Sequence, residues 1–228
     1  APEGGEVVGG EGVITQNGVD TLIHQASDRL AIDWRSFDVA ANERVEFIQP
    51  SSSSIALNRV LSNSASHILG RIDSNGQVML VNPNGVVFGK DSIINVGGMI
   101  ASGMSIDPAS FINGDFTLNS LEGTDGKVIN YGIINAATGG SVTLVGQQVQ
   151  NNGLISAKLG AVNLAAGNEA VLTFDPSGLV GVKVTEAVLQ QELGVDAAVI
   201  NNGTINADGG RVLLSASVSE DIFSDAVN

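Results

Sequence analysis

From Val128 onward the apolar positions recur in a fixed frame. Val128-Ile-Asn-Tyr-Gly-Ile-Ile-Asn-Ala136, Val149-Gln-Asn-Asn-Gly-Leu-Ile-Ser-Ala157 and Val199-Ile-Asn-Asn-Gly-Thr-Ile-Asn-Ala207 align without gaps, and Ile93-Ile-Asn-Val-Gly-Gly-Met-Ile-Ala101 fits more loosely. Each close copy is followed by a turn and an alternating strand: Ser141 to Val145, Ala161 to Ala165 and Arg211 to Ser215. The first two copies lie 21 residues apart. A repeat of about 20 residues is one turn of a β-solenoid, whose coils pair as parallel strands about 4.8 Å apart. Val142 and Leu144 then stand over Val162 and Leu164, with Val212 and Leu214 in the same columns, because alternate strand residues point inward. The fold predicted is all-β: a right-handed parallel β-helix.

The corners are written in Asn and Gly. Asn130, Asn151 and Asn201 share one repeat position, with Gly132, Gly153 and Gly203 two residues on. Both residue types tolerate positive φ, which a sharp corner is expected to use. Stacked Asn side chains are also expected to hydrogen-bond from coil to coil as a structural ladder. About six inward side chains cannot offset the ordering of about 20 backbones, so one coil alone is unstable and needs a neighbour, a nucleus and a cap.

Residues 1–60 do not show the repeat and are expected to form an N-terminal β cap, with residues 61–228 forming the coils of the same single domain. Val13 to Gln16 and Val19 to Gln25 flank Asn17-Gly18 as a hairpin. Ile32 to Val39 reads as a bulged strand and Arg44 to Ile48 as a regular one, with Trp34, Phe37 and Phe47 in the core of the cap. Around residues 170–195 the repeat is interrupted. Ala170 to Phe174 and Leu179 to Val184 flank Asp175-Pro-Ser-Gly178, predicting a hairpin that projects from the solenoid. Thr185 to Leu193 carries helical spacing and predicts one short helix.

Composition narrows the chemistry. Of the 228 residues 43% are hydrophobic, but they include only one Trp, one Tyr and seven Phe, so the core rests on aliphatic side chains. The net charge is −14, and the ten Lys and Arg form no basic run, which argues against nucleic acid as a partner. With no Cys, thiol chemistry and disulfides are excluded, which suits passage through an oxidising periplasm. No apolar run is long enough to span a membrane. No metal site, cofactor or catalytic residue is expected: Asp73, Asp91 and Asp125 are isolated beside turns, His24 and His67 lie far apart, and polysaccharide-cleaving β-helices need clustered carboxylates. Ala1-Pro2-Glu3 is expected to start a processed or trimmed chain, and the acidic tail Ser215–Asn228 to continue into further coils.

The most specific motif is Gly70-Arg-Ile-Asp-Ser-Asn-Gly-Gln-Val-Met-Leu-Val-Asn-Pro-Asn-Gly-Val-Val-Phe-Gly89. It reads as strand, Asn-Gly turn, strand and an Asn82-Pro83-Asn84-Gly85 corner, in which Pro83 fixes φ and Asn84-Gly85 supply positive-φ positions. Together with Ile32-Asp-Trp-Arg-Ser-Phe37, Leu57-Asn-Arg-Val60, Lys90-Asp-Ser-Ile-Ile-Asn95 and Leu172-Thr-Phe-Asp-Pro-Ser-Gly-Leu-Val-Gly-Val182, it resembles the N-terminal domain of two-partner secretion (TPS) exoproteins of the filamentous-haemagglutinin type, closest to the high-molecular-weight adhesin branch. The resemblance implies a secretion-targeting, fold-nucleating domain of a large exported adhesin. It implies recognition by the POTRA domains of an outer-membrane TpsB-type β-barrel transporter, export through the periplasm to the cell surface, and a monomeric domain without enzymatic activity. Carried over residue by residue, the secretion motif falls on Asn82, Pro83, Asn84 and Gly85, and on Asn58 and Arg59, where Leu57-Asn58-Arg59-Val60 stands in place of a second Asn-Pro-Asn motif. Replacing Asn82 or Asn84 by Ala is then expected to lower export more than stability. The alternative is an adhesin module that itself grips a carbohydrate or receptor; in the main reading a host receptor or polysaccharide is met by the full-length protein.

Overall fold

Three sheets wind about one axis in the computed structural model, which describes residues 1–186 and 199–216. One rung runs through Lys127–Asn130, Ile133–Ala136 and Ser141–Gly146, each in a different sheet, and Gln148–Asn151 then starts the next rung beside Lys127–Asn130. This is the right-handed parallel β-helix expected. The first sheet stacks Arg29–Trp34, Ile55–Val60, Gln77–Val81, Gly98–Ser102, Ser141–Gly146, Ala161–Ala166 and Arg211–Ala216 in parallel. In it Val142 pairs with Val162 and Val162 with Val212, and Leu144 with Leu164 and Leu164 with Leu214. The second sheet aligns Ile72, Ile94, Ile134, Ile155 and Ile205, and the third Val86, Val128, Val149 and Val199. These columns form one continuous aliphatic core.

The loose copy beginning at Ile93 is out of phase. Ile93 pairs with Ile133, not Val128, and Met99 with Val142. Near-identical strings, Ile93-Ile-Asn95 in the second sheet and Val128-Ile-Asn130 in the third, occupy different sheets of the helix, so similarity of sequence misled about position in the rung.

The corner glycines are required for a different reason from the one expected. Gly132, Gly153 and Gly203 are not among the residues with positive φ. A Cβ on Gly153 would lie 2.1 Å from the Gly132 carbonyl oxygen, and one on Gly203 2.2 Å from that of Gly153. Successive corners approach so closely that only a hydrogen fits between them.

The cap is shorter than residues 1–60. Asp20–Gln25 already pairs in parallel with Arg44–Ile48, and Arg29–Trp34 with Ile55–Val60. Of the strands in residues 1–60 only Glu6–Gly9 and Gly12–Asn17 run antiparallel, each covering the edge of one sheet; the second makes the expected hairpin across Asn17-Gly18. The first rungs hide their repeat because large side chains replace the aliphatic columns: Trp34, Phe37 and Phe47 are buried, with Trp34 edge-on to Phe37 at 5.4 Å. The strand expected over Ile32–Val39 starts at Arg29 and ends at Trp34; the chain then bends, and Val39 rejoins through a single parallel bridge to Ile68.

The later insertion also differs. Glu169–Phe174 and Val180–Glu186 form the expected hairpin, but it does not project. It joins Thr117–Asn119 in a three-stranded sheet laid over the outside of the first sheet. Leu172, Val180, Leu118 and Phe111 there cover Leu57, Met79, Ile100 and Val145, giving a second core. Asn163 Nδ2 donates to the Val180 carbonyl at 2.8 Å and pins the hairpin down. Of the helix expected over Thr185–Leu193, Thr185 and Glu186 end a strand and the remainder lies outside the described residues. A short helix occurs instead at Pro108–Ile112, N-capped by Asp107.

Candidate functional site

Asn82 to Gly85 form the corner between Gln77–Val81 of the first sheet and Val86–Phe88 of the third. The Gly85 amide donates to the Asn82 carbonyl at 2.9 Å, closing a β-turn, and the Asn84 amide donates to Asn82 Oδ1 at 2.9 Å. Gly85 adopts φ +111°, as its position in the motif implied, whereas Asn84 does not enter the positive-φ region. The side chain of Asn82 is fully buried; its Nδ2 donates to the Ser64 carbonyl at 2.9 Å and Ser66 Oγ at 3.0 Å. Asn84, half-buried, reaches the Ser62 carbonyl from Nδ2 at 2.8 Å. The two Asn side chains thus tie this corner to the Ser62–Ser66 segment of the preceding rung. Losing Asn82 removes three hydrogen bonds inside the protein, so the structure makes it a folding residue. Asn82→Ala therefore bears on stability as well as on export, whereas Asn84→Ala removes one side-chain hydrogen bond, to the Ser62 carbonyl.

The second pair separates. Asn58 occupies an inward position between Ile32 and Leu80, fully buried, with its Oδ1 accepting from Trp34 Nε1 at 2.9 Å and its Nδ2 donating to the Met79 carbonyl at 3.2 Å. Arg59 points outward and donates to both oxygens of Asp33 at 2.8 and 2.7 Å. That hydrogen bonding, reinforced by the nearby Asp107 charge, raises the guanidinium above its ordinary range. Arg59, Pro83 and Asn84 line one open groove, together with Leu61 and Leu121. Leu61 is 58% exposed and Leu121 49%. The sequence motif therefore folds into two layers: Asn58 and Asn82 hold the scaffold, and Arg59 and Asn84 present a mixed polar and apolar surface. Asp33, Ser62, Ser64 and Ser66 escaped the sequence reading. Their signal is positional, and it becomes visible only once Asp33 is known to sit beside Arg59 in the parallel register.

The Asn ladder lies inside the third sheet. Asn130 Nδ2 donates to Asn151 Oδ1 at 2.9 Å, and Asn151 Nδ2 to Asn201 Oδ1 at 3.0 Å. The column begins above Phe88, which pairs with Asn130. Among the described residues no group of three His, Cys, Asp or Glu stands together as a metal site.

The family model of the TPS secretion domain matches residues 1–228, the whole chain. The chain belongs to the TPS secretion domain family. A heme/hemopexin-binding protein of Haemophilus influenzae strain Rd is 36% identical over 224 residues, covering 94% of this chain but 23% of the relative. Another heme/hemopexin-binding protein of Haemophilus influenzae is 38% identical over 110 residues, 48% of this chain and 12% of the relative. This TPS domain thus spans about a quarter or less of the curated relatives it matches. The crystal structure of the HMW1 secretion domain from Haemophilus influenzae superimposes with a TM-score of 0.81 at 33% identity, covering 93% of this chain and 55% of that one. The domain is a secretion domain of the exported TPS exoproteins, as its motifs implied.

Proposed function

We propose that this domain is the export address of a larger exoprotein, read by the POTRA domains of a TpsB-type outer-membrane transporter as the chain passes from periplasm to cell surface. After export it acts as the folded block on which later rungs stack, as a monomer and without catalysis. The observation that carries this reading is the two-layered corner. Asn82 is closed to any partner once folded, whereas Asn84, Arg59 and the exposed Leu61 and Leu121 share an open groove. A transporter therefore meets Asn82 only in an unfolded or partly folded chain and the groove only in a folded one. The parallel sheets end, among the described residues, on Val199–Asn201, Thr204–Asn206 and Arg211–Ala216, which supports a nucleating role. Binding of heme, hemopexin or a host receptor is assigned to the remainder of a full-length protein.

The test compares export of Asn82→Ala, Asn84→Ala and a remote variant, Asn151→Ala, on co-expression with the transporter, against thermal unfolding of each purified domain. Asn84→Ala should lower export severalfold while losing about 1 kcal/mol, the value of one hydrogen bond. Asn82→Ala should lower export more than Asn151→Ala at comparable stability. Export that simply follows stability through all three overturns the address.

A further inference from the structure

Three buried glutamines line the corner between the second and first sheets. Gln25 Nε2 donates to the carbonyls of Ser27, Asp28 and Ile55, and its Oε1 accepts from Gln49. Gln49 in turn donates to the Ser54 and Gln77 carbonyls and accepts from the Gly76 amide. Gln77 is different. It is 5% exposed, yet among the described residues its side-chain amide has no hydrogen-bond partner. Among the described residues no buried side-chain nitrogen or oxygen is both sealed and unpartnered, so the Gln77 amide must open onto solvent. It opens into two adjoining clefts, of about 320 and 430 Å³, which both include Ser53 and Gly178. Its nitrogen faces the hairpin tip, 3.8 Å from where a Cβ on Gly178 would stand. In the free domain water meets this amide through the clefts, so a ligand that enters them must replace that water with polar groups of its own.

The walls narrow the ligand. The larger cleft carries the carboxylates of Asp28 and Asp175, whose Oδ1 atoms already accept from Ser54 Oγ and from Ser177 and Leu179, leaving their second oxygens for a ligand, and the rings of Phe116 and Phe174, which pack at 4.7 Å. The only cation there, Arg29, is already engaged: its Nη1 donates to the Ile112 carbonyl at 2.9 Å and its guanidinium sits over Phe116. Two carboxylates, with Arg29 engaged and Arg211 acting on Asp175 from outside the lining, disfavour an anion, in a chain of net charge −14. The Ser, Gln and Asp groups disfavour a wholly apolar ligand, whose entry would strip them of water. What suits them is a ligand dense in hydroxyls with one apolar C–H face: the hydroxyls meet the carboxylates and the Gln77 amide, and the face lies against Phe174. We propose that the Gln77 clefts bind a neutral saccharide. This site is on the far side of the first sheet's strand from the Asn82 corner, since Gln77 begins that strand and Val81 ends it, and it is independent of the export reading.

The experiment follows the side-chain amide of Gln77 by NMR in the isotope-labelled domain, its signal assigned by its loss in Gln77→Met. Methyl glycosides of glucose, galactose, mannose and N-acetylglucosamine are each raised to about 50 mM, ample for a site of millimolar Kd. At least one should shift the Gln77 amide and the Ser53 and Gly178 backbone signals. Gln77→Met and Phe174→Leu should each weaken that binding at least fivefold while the rest of the spectrum stays dispersed and unmoved. No shift with any of the four glycosides overturns the proposal, as does binding that persists undiminished in Gln77→Met. Shifts with N-methylacetamide, a fragment of peptide backbone, but not with the sugars would also overturn it and make the cleft a peptide site.

Discussion

Truncating the middle of the Asn ladder tests the stacking logic most directly. Asn151 is fully buried and serves three rungs: its Oδ1 accepts from Asn130 Nδ2 at 2.9 Å and from the Gly153 amide at 3.2 Å, and its Nδ2 donates to Asn201 Oδ1 at 3.0 Å. Asn151→Ala removes these three hydrogen bonds, at about 1 kcal/mol each, for a loss of about 3 kcal/mol. For a domain of this length that corresponds to a fall in Tm of about 6–12 °C. Asn201, at the last described position of the ladder, is half-buried and joined to it by one such bond, so Asn201→Ala should lose about 1 kcal/mol. Calorimetry and urea unfolding of the two variants give the comparison. The double replacement of Asn130 and Asn151 should lose less than the sum of the single losses, because one bond is shared. Equal falls for Asn151→Ala and Asn201→Ala, or strict additivity of the neighbours, would refute the ladder as a cooperative element.

Two further predictions follow from corners and charges. Gly153→Ala should cost about 3 kcal/mol or prevent folding, since its Cβ would meet the Gly132 carbonyl oxygen at 2.1 Å, whereas Gly139→Ala, at φ +83° in open space, should cost about 1–2 kcal/mol; denaturant midpoints of similar size for the two would contradict the steric account. Burial works to raise the Asp73 carboxyl, but hydrogen bonds from Arg44 and Arg71 outweigh it and hold the group below its ordinary value. A lowered folded pKa contributes stability that is present above the unfolded value of about 3.9 and is lost as pH falls through the folded one. Tm should therefore drop less steeply below about pH 4 in Asp73→Asn than in the unmodified domain, and identical Tm–pH curves would count against this.

The legible part of the fold is the part where one face alone carries the pattern. In Lys127–Asn130 and Ile133–Ala136 buried and less buried positions alternate, so Val128, Asn130 and Ile134 announce themselves. Ser141–Gly146 and Ala161–Ala166 are buried on both faces. Their Val-x-Leu spacing marked the inner columns but not the burial of the other face: the outer layer that covers it, with Leu118 and Phe111, comes from an insertion whose docking leaves no local signature. The first rungs were hidden for another reason: they differ in length and use Trp34, Phe47 and Asn58 where later rungs use aliphatic residues. At the candidate site the motif marked Asn82 to Gly85, but motif spelling does not separate Asn82, turned inward, from Asn84, turned to the groove. Gln77 was invisible for the same reason, since nothing local distinguishes it from Gln25 and Gln49, whose amides are satisfied.

The antiparallel strands Glu6–Gly9 and Gly12–Asn17 give the rod a polarity. They close one end against parallel extension, so winding can advance only from the other. Each added turn gathers about 20 residues, roughly 65 Å of stretched chain, and lengthens the rod by about 4.8 Å. Coiling therefore takes up slack more than ten times faster than the rod grows. On the export role proposed above, a chain held at a pore and winding onto this block is reeled outward like line onto a spool, with the free energy of each new turn performing mechanical work in one direction.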